Sequence, residues 1–129
     1  MKRLVSVAAI AVLAMTGAAL AEGDAKKGEK VFKKCKACHQ VGEKAKNKVG
    51  PILNGIVGRK IASVEGFKYS KAFTEKAEAE ADFVWSADNL HAYLTKPKKF
   101  IKGNKMAFAG LKKEKDRDNV IEYLKGFAE

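Results

Sequence analysis

Cysteine, histidine and proline are all scarce in this sequence. The two cysteines, Cys35 and Cys38, are separated by two residues, so no framework of disulfides can cross the chain. Histidine occurs only at positions 39 and 91, and proline only at positions 51 and 97. After the N-terminal segment no second long apolar run occurs. A small domain without disulfides needs another group to complete its core.

The N-terminus has the three parts of a secretory signal. Lys2 and Arg3 are basic, a mostly apolar stretch without charges follows from Leu4, and the segment ends in a small-x-small cleavage site at Ala21. A retained membrane anchor is the alternative, because the apolar stretch approaches the length of a span. Acidic residues follow directly, as in a soluble domain. We therefore predict a signal peptide over residues 1–21, cleavage after Ala21, export to the periplasm, and one domain over residues 22–129.

Helical periodicity without a convincing strand predicts an all-α fold with long loops. The first expected helix is capped by Asp24, has Val31, Phe32 and Cys35 on one face, and is followed by a loop over 40–59. A short helix over 69–76 and an exposed insertion or helix extension over 77–82 come next, and then a helix that is capped by Ser86 and stopped by Pro97. A basic loop over 98–105 precedes the last helix, which begins near Asp116 and buries Val120, Ile121, Tyr123, Leu124 and Phe127.

The segment that carries chemistry is Cys35-x-x-Cys38-His39. In this spacing both thiols can reach the two vinyl groups of one haem as thioethers, and the histidine becomes the proximal iron ligand. A zinc site would need a fourth ligand from His91 or a carboxylate. A thioredoxin-like pair would need a βαβ pattern, and a disulfide would close too small a loop to stabilise much. The motif therefore predicts one covalent haem c.

The second axial position of the iron decides between electron transfer and ligand chemistry. Once the predicted signal is removed, Met106 is the only methionine, and it lies in a loop bounded by Gly103 and Gly110. Such a loop can bring a thioether over the haem face opposite His39, although a core methionine is the alternative. His91 lies off the apolar face of its predicted helix, so we expect it to be solvated.

Further motifs follow in order along the chain. They are Gly23-Asp24, Gly28, Phe32, Asn47-x-x-Gly50-Pro51-x-Leu53-x-Gly55, Gly58-Arg59, Gly66-Phe67-x-Tyr69-Ser70-x-Ala72, Trp85, Leu90-x-x-Tyr93-Leu94, Pro97-Lys98-Lys99, Lys105-Met106-x-Phe108-Ala109-Gly110 and residues 117–124. Together with the haem motif they resemble the class I cytochromes c of mitochondrial type, and among them the bacterial cytochromes c2. The resemblance covers residues 22–129.

The resemblance implies a small cytochrome c fold wrapped around the haem and a set of site residues. Met106 would be the sixth ligand, with Tyr93 near its sulfur, and Pro51 would accept a hydrogen bond from the ring of His39. The haem propionates would be surrounded by Arg59, Tyr69 and Trp85, and Phe108 would cover the exposed haem edge. The first and last helices would cross at Gly28 and Phe32 against Val120 and Tyr123.

Some positions depart from the family pattern. Lys102 stands where a proline often precedes the glycine of the methionine loop, so the loop has more freedom in the unfolded chain and the methionine–iron bond is expected to open more easily. Phe100 replaces a common tyrosine. Phe73 occupies a place often held by asparagine in a polar network beside the haem, and the stretch between Phe73 and Trp85 is longer than in the mitochondrial proteins.

Charge predicts the partners. The formal net charge is +11, and lysines flank the motifs that would meet the haem edge. We name Lys34, Lys36, Lys48, Lys98, Lys99, Lys105 and Lys112 the docking lysines; an ordinary solvated surface is the alternative for any one of them. As a set they would attract acidic surfaces.

The resulting prediction is a monomeric, non-enzymatic one-electron carrier. By resemblance its partners would be membrane redox complexes with acidic docking surfaces, a cytochrome bc-type complex as donor and a terminal oxidase or photosynthetic reaction centre as acceptor. Nucleic acid is not an expected partner. The alternative function is a haem enzyme or ligand sensor, peroxidase-like, with a labile sixth ligand.

Overall fold

The computed structural model describes residues 23–128, and this part of the chain contains five helices joined by long loops. The helices are α1 (Ala25–Phe32), α2 (Lys71–Ala79), α3 (Ala87–Thr95), α4 (Pro97–Phe100) and α5 (Glu114–Lys125). Among the described residues the only β pairing is an isolated bridge between Lys60 and Val84. The predicted all-α class is therefore confirmed. The predicted signal peptide and its cleavage site lie outside the described residues.

Short polar side chains begin α1 and α3 at the residues that the sequence predicted. The Asp24 carboxylate accepts hydrogen bonds from the backbone N–H groups of Lys26 and Lys27, at 2.9 and 3.1 Å. Ser86 accepts from the N–H of Asn89 at 3.1 Å and starts α3. These bonds satisfy backbone donors that have no partner within the helix. The two predicted caps are confirmed.

Two helix boundaries differ by a few residues from the predicted ones, and one predicted loop was wrong. Helix α2 begins at Lys71 because Ser70 caps it, and it continues to Ala79, so the alanine-rich insertion is in part a helix extension. The basic segment over 98–105 was predicted as loop, but it contains most of α4, since Pro97 is suited to the first turn of a helix. Helix α5 begins at Glu114 rather than near Asp116.

Helices α1 and α5 cross in close contact, as the resemblance implied. A Cβ atom on Gly28 would lie 1.9 Å from the carbonyl oxygen of Asn119 and 2.7 Å from the Cβ atom of Tyr123. The rings of Phe32 and Tyr123 lie 5.4 Å apart between centroids. The missing side chain of Gly28 thus lets the two backbones meet, and the predicted crossing is confirmed.

The core draws on helices and loops alike. Its buried apolar side chains are Phe32, Ile56, Ile61, Trp85, Leu90, Tyr93, Ile101, Leu111, Val120, Ile121 and Leu124. Tyr123 and Phe127, which were predicted to be buried, are only half-buried, and Phe127 follows the end of α5. Within residues 23–128, none of the helices is long and apolar enough to cross a membrane.

Candidate haem-binding site

The haem motif lies in helical turns that continue beyond the end of α1. The N–H of Cys35 donates to Phe32 O at 2.8 Å, and the N–H of His39 donates to Cys35 O at 2.9 Å. Both cysteines are half-buried and free of disulfides. One short segment therefore presents two thiols and one imidazole, which is the donor set of a c-type haem attachment.

The alternatives for the two thiols find no support. Burial raises the pKa of the Cys35 thiol to about 11, against a smaller opposing effect of Lys34, so this thiol stays protonated at neutral pH. A redox-active dithiol has a lowered pKa instead. In the described part of the chain, no group of three or more His, Cys, Asp or Glu side chains could hold a metal ion. A zinc site at Cys35 and Cys38 would thus lack ligands.

The ring of His39 is fixed by the loop that passes over it. Its Nδ1 lies 2.7 Å from Pro51 O, and a carbonyl can only accept, so Nδ1 carries the proton and Nε2 keeps its lone pair. A Cβ atom on Gly50 would lie 2.4 Å from His39 Cε1, so only glycine allows this approach. Burial lowers the pKa of His39, which favours the neutral imidazole that binds metals.

Met106 lies beside the phenol of Tyr93, as the resemblance implied. Tyr93 Oη donates to Met106 Sδ at 3.6 Å, a long contact of the kind that sulfur accepts. Tyr93 is 7% exposed, and burial raises the pKa of its phenol, so the hydroxyl remains a donor. The thioether is therefore held from one side while its methionine stays half-buried.

Aromatic rings fill the space around Tyr93. Trp85 is 4% exposed, and its ring centroid lies 4.9 Å from that of Tyr93. Phe73 packs against the rings of Tyr69, Trp85 and Tyr93, at centroid distances of 5.9, 6.2 and 6.1 Å. The position where the family often has a polar network is therefore an apolar contact in this chain.

The remaining predicted site residues occupy separate places. Arg59 donates from one terminal nitrogen to Ile52 O at 2.9 Å and to Asn54 O at 3.1 Å. The hydroxyl of Tyr69 accepts from the N–H of Val64 at 2.9 Å. Phe108 is half-buried against the core. Their predicted roles beside the haem stay predictions.

Comparison with known proteins places this geometry in a family. A family model described as cytochrome c matches residues 25–128. The chain belongs to the cytochrome c family. Cytochrome c-550 of Ancylobacter novellus is 56% identical over 101 residues, which are 78% of this chain and 92% of the relative. Cytochrome c2 of Agrobacterium tumefaciens is 52% identical over 103 residues, 80% of this chain and 91% of the relative.

A solved structure agrees with this family. Cytochrome c2 from Rhodospirillum centenum matches this cytochrome c with a TM-score of 0.76 and 41% identity, over 83% of this chain and all of that one. The resemblance drawn from the sequence, the cytochrome c fold and the presence of one covalent haem c are thereby confirmed. The half-buried, unbridged thiols and the neutral imidazole with a free Nε2 fit that group.

Two side chains of this cytochrome c have contacts that were not predicted from the sequence. His91, predicted to be solvated, is only 28% exposed, and its Nε2 lies 2.8 Å from Asp118 Oδ1 on α5. That prediction was wrong because α5 covers the side of α3 that carries His91. Asn104 is 3% exposed and bonds to the backbone of Met106. A polar residue two positions before the predicted ligand was the available signal.

All seven docking lysines are exposed: Lys34, Lys36, Lys48, Lys98, Lys99, Lys105 and Lys112. Lys98 and Lys99 lie on α4, and Lys98 Nζ reaches Asn104 O at 3.4 Å. None of the seven forms a salt bridge among the described residues. Their charges are available to a partner.

Proposed function

We propose that this cytochrome c carries single electrons, with Cys35 and Cys38 as thioether attachments and with His39 and Met106 as axial ligands. One observation supports the proposal: a hydrogen bond holds the side chain of each proposed axial ligand. His39 is turned by the Pro51 carbonyl so that Nε2 is free, and Met106 Sδ is held by the Tyr93 hydroxyl. Donors that are held in both redox states need little rearrangement when an electron arrives.

A haem held by Cys35, Cys38, His39 and Met106 would supply the one-electron chemistry. The protein supplies the ligands and the environment. A soft thioether favours the ferrous form, and the buried rings of Tyr93 and Trp85 give the Met106 sulfur an apolar neighbourhood. A low dielectric and the net positive charge of the chain both disfavour the additional positive charge of the ferric form. We therefore expect a relatively high reduction potential and no turnover of a substrate.

For the cellular setting we propose the periplasm, after cleavage at Ala21, with a monomeric carrier that moves between membrane complexes. The donor would be a cytochrome bc-type complex and the acceptor a terminal oxidase or a photosynthetic reaction centre, each with an acidic docking surface. The exposed docking lysines support this proposal, because clustered positive charge accelerates encounter with an acidic surface.

The ligand assignment is tested with carbon monoxide and one substitution. We expect the reduced protein to show an unchanged absorption spectrum when carbon monoxide is added at neutral pH, because both axial positions are filled. Met106→Ala should bind carbon monoxide and show a much lower reduction potential. An unchanged potential in this variant would refute Met106 as ligand. Carbon monoxide binding by the unaltered protein would favour the ligand-sensor or peroxidase-like alternative.

The partner assignment is tested by charge reversal. Lys98, Lys99 and Lys105 are changed to glutamate together, and electron transfer to an acidic acceptor is followed at several ionic strengths. We expect slower transfer and a weaker salt dependence than in the unaltered protein. Lys71→Glu is the control, because Lys71 is exposed on α2, where it pairs with Glu75 at 3.6 Å. Equal rates for the triple variant and the control would contradict the proposed face.

A further inference from the structure

Asn104 is a buried polar residue of the methionine loop, the segment between Gly103 and Gly110. It is 3% exposed. Its Nδ2 donates to Pro97 O at 2.9 Å and to Ile101 O at 2.8 Å, and its Oδ1 accepts from the N–H of Met106 at 2.8 Å. Both amide protons and the carbonyl oxygen are therefore used, as a buried amide requires.

These bonds join Met106 to a fixed part of the fold. The carbonyls of Pro97 and Ile101 belong to the first residue and the C-cap of α4, and both residues are buried. Helix α4 packs against α3, which carries Tyr93. The side-chain amide of Asn104 thus connects the backbone of Met106 to α4. Helix α4 in turn packs against the helix whose Tyr93 holds the sulfur of Met106.

Besides the Asn104 side chain, the segment before Met106 is held by the N–H of Asn104, which donates to Ile101 O at 3.2 Å, and by Lys98 Nζ, which reaches Asn104 O at 3.4 Å. Lys102 and Gly103 are exposed, and Gly103 has a φ of +88°. Lysine at position 102, where the family often has proline, leaves this stretch more freedom in the unfolded chain. Without a proline, the order of the loop has to come from contacts in the folded state, and Asn104 makes such contacts.

We propose that Asn104 is the positioning residue for Met106, holding the methionine loop against α4. This inference rests on the proposed role of Met106 as axial ligand. A movement of the loop that carries the thioether away from α4 breaks the bond between the Met106 amide and Asn104 Oδ1 or both bonds from Nδ2. Asn104 therefore sets how often the sixth position opens.

The test measures that opening directly. In the ferric protein at neutral pH, cyanide binds only after the thioether has left, so its binding rate at saturating cyanide reports loop opening. We expect Asn104→Ala to raise this rate about tenfold or more, which corresponds to about 1.4 kcal/mol. The red absorption band of the methionine–ferric iron bond should weaken, and hydrogen exchange of the Met106 amide should accelerate. Asn104→Asp keeps the acceptor for that amide but loses both donors. Its cyanide binding rate should fall between those of the unaltered protein and Asn104→Ala.

Asn54 provides a matched control. Its side chain makes a similar pair of backbone contacts, since Nδ2 donates to Gly42 O at 2.8 Å and Oδ1 accepts from the N–H of Gly42 at 2.9 Å. Asn54→Ala should accelerate exchange of the Gly42 amide and leave the cyanide rate within about twofold of the unaltered protein. A general loss of stability would change both asparagine variants alike.

Several outcomes would overturn the proposal. A cyanide rate in Asn104→Ala equal to that of the unaltered protein would reduce Asn104 to a stabilising contact. Fast exchange of the Met106 amide in the unaltered protein would do the same, and this measurement does not depend on whether a variant folds. Absence of the red band in the unaltered protein would instead refute Met106 as ligand, so the two failures can be told apart.

Discussion

Substitution of Gly28 by alanine tests the crossing of α1 and α5 with one methyl group. The new Cβ atom would lie 1.9 Å from Asn119 O and 2.7 Å from Tyr123 Cβ. Favourable contacts between heavy atoms begin at about 3.5 Å. The two helices would therefore have to separate by roughly 1.5 Å, and one of the atoms to be moved is a backbone carbonyl inside α5, which cannot rotate away.

Two opposing effects set the size of the result. Alanine in place of glycine favours the helix by about 1 kcal/mol. Separation of the helices disturbs the contact of Phe32 with Tyr123 and the buried side chain of Val120. Overpacking costs about 1–3 kcal/mol, and the loss of buried contacts adds a similar amount. We expect a net destabilisation of about 3 kcal/mol, a large share of the stability of a small domain.

The measurement is guanidinium unfolding of the haem-loaded protein, followed by far-ultraviolet circular dichroism and by the fluorescence of Trp85. The midpoint should fall while the slope of the transition stays constant. Gly126→Ala is the control, because a Cβ atom there would meet only Tyr123 O, at 3.3 Å, and the φ of −72° suits alanine. If Gly28→Ala were as stable as the unaltered protein, the argument for close backbone contact would be refuted.

Three further substitutions test other contacts. The N–H groups of Lys27 and Lys26 lower the pKa of Asp24, so its charge stabilises the fold fully above about pH 4, and this stability is lost as the pH falls through the lowered pKa. Asp24→Asn should abolish this part of the acid unfolding curve; identical curves for the variant and the unaltered protein would contradict the argument. Gly50→Ala should displace the His39 ring, reducing the yield of haem-loaded protein and altering its absorption spectrum, so a normal yield and spectrum would argue against the contact. His91→Ala should lower the free energy of unfolding by about 1 kcal/mol or less, and a double-mutant cycle with Asp118→Ala should show coupling.

The parts that sequence reasoning predicted well depend on neighbouring residues. The segment from Cys35 to His39 could be interpreted because its chemistry is fixed by spacing along one helical turn. Asp24 and Ser86 could be recognised as caps because an N-cap bonds within its own first turn. In each case the partners lie within a few positions of each other, so no knowledge of the tertiary fold is needed.

The parts that it missed depend on segments that are distant in the chain or on a competing local signal. His91 is covered by a helix that starts more than twenty residues later, and nothing near position 91 indicates its partner Asp118. The hydrogen bonds of Asn104 run back to Pro97 and Ile101, and they exist only because α4 forms in a stretch whose lysines suggested an open loop. Periodicity has little weight in a four-residue helix.

The contacts of Asn54 have a chemical consequence for the ageing of the protein. Asn54 is followed by Gly55, and asparagine–glycine bonds deamidate readily when the glycine nitrogen can attack the side-chain carbonyl. In the folded chain the Asn54 amide is held by both backbone groups of Gly42, and the N–H of Gly55 donates to Phe127 O. Neither reacting group is free to approach the other. We therefore expect succinimide formation at this bond to be slow in the native protein and fast in the denatured chain, which makes the isoaspartate content of stored samples a chemical record of unfolding.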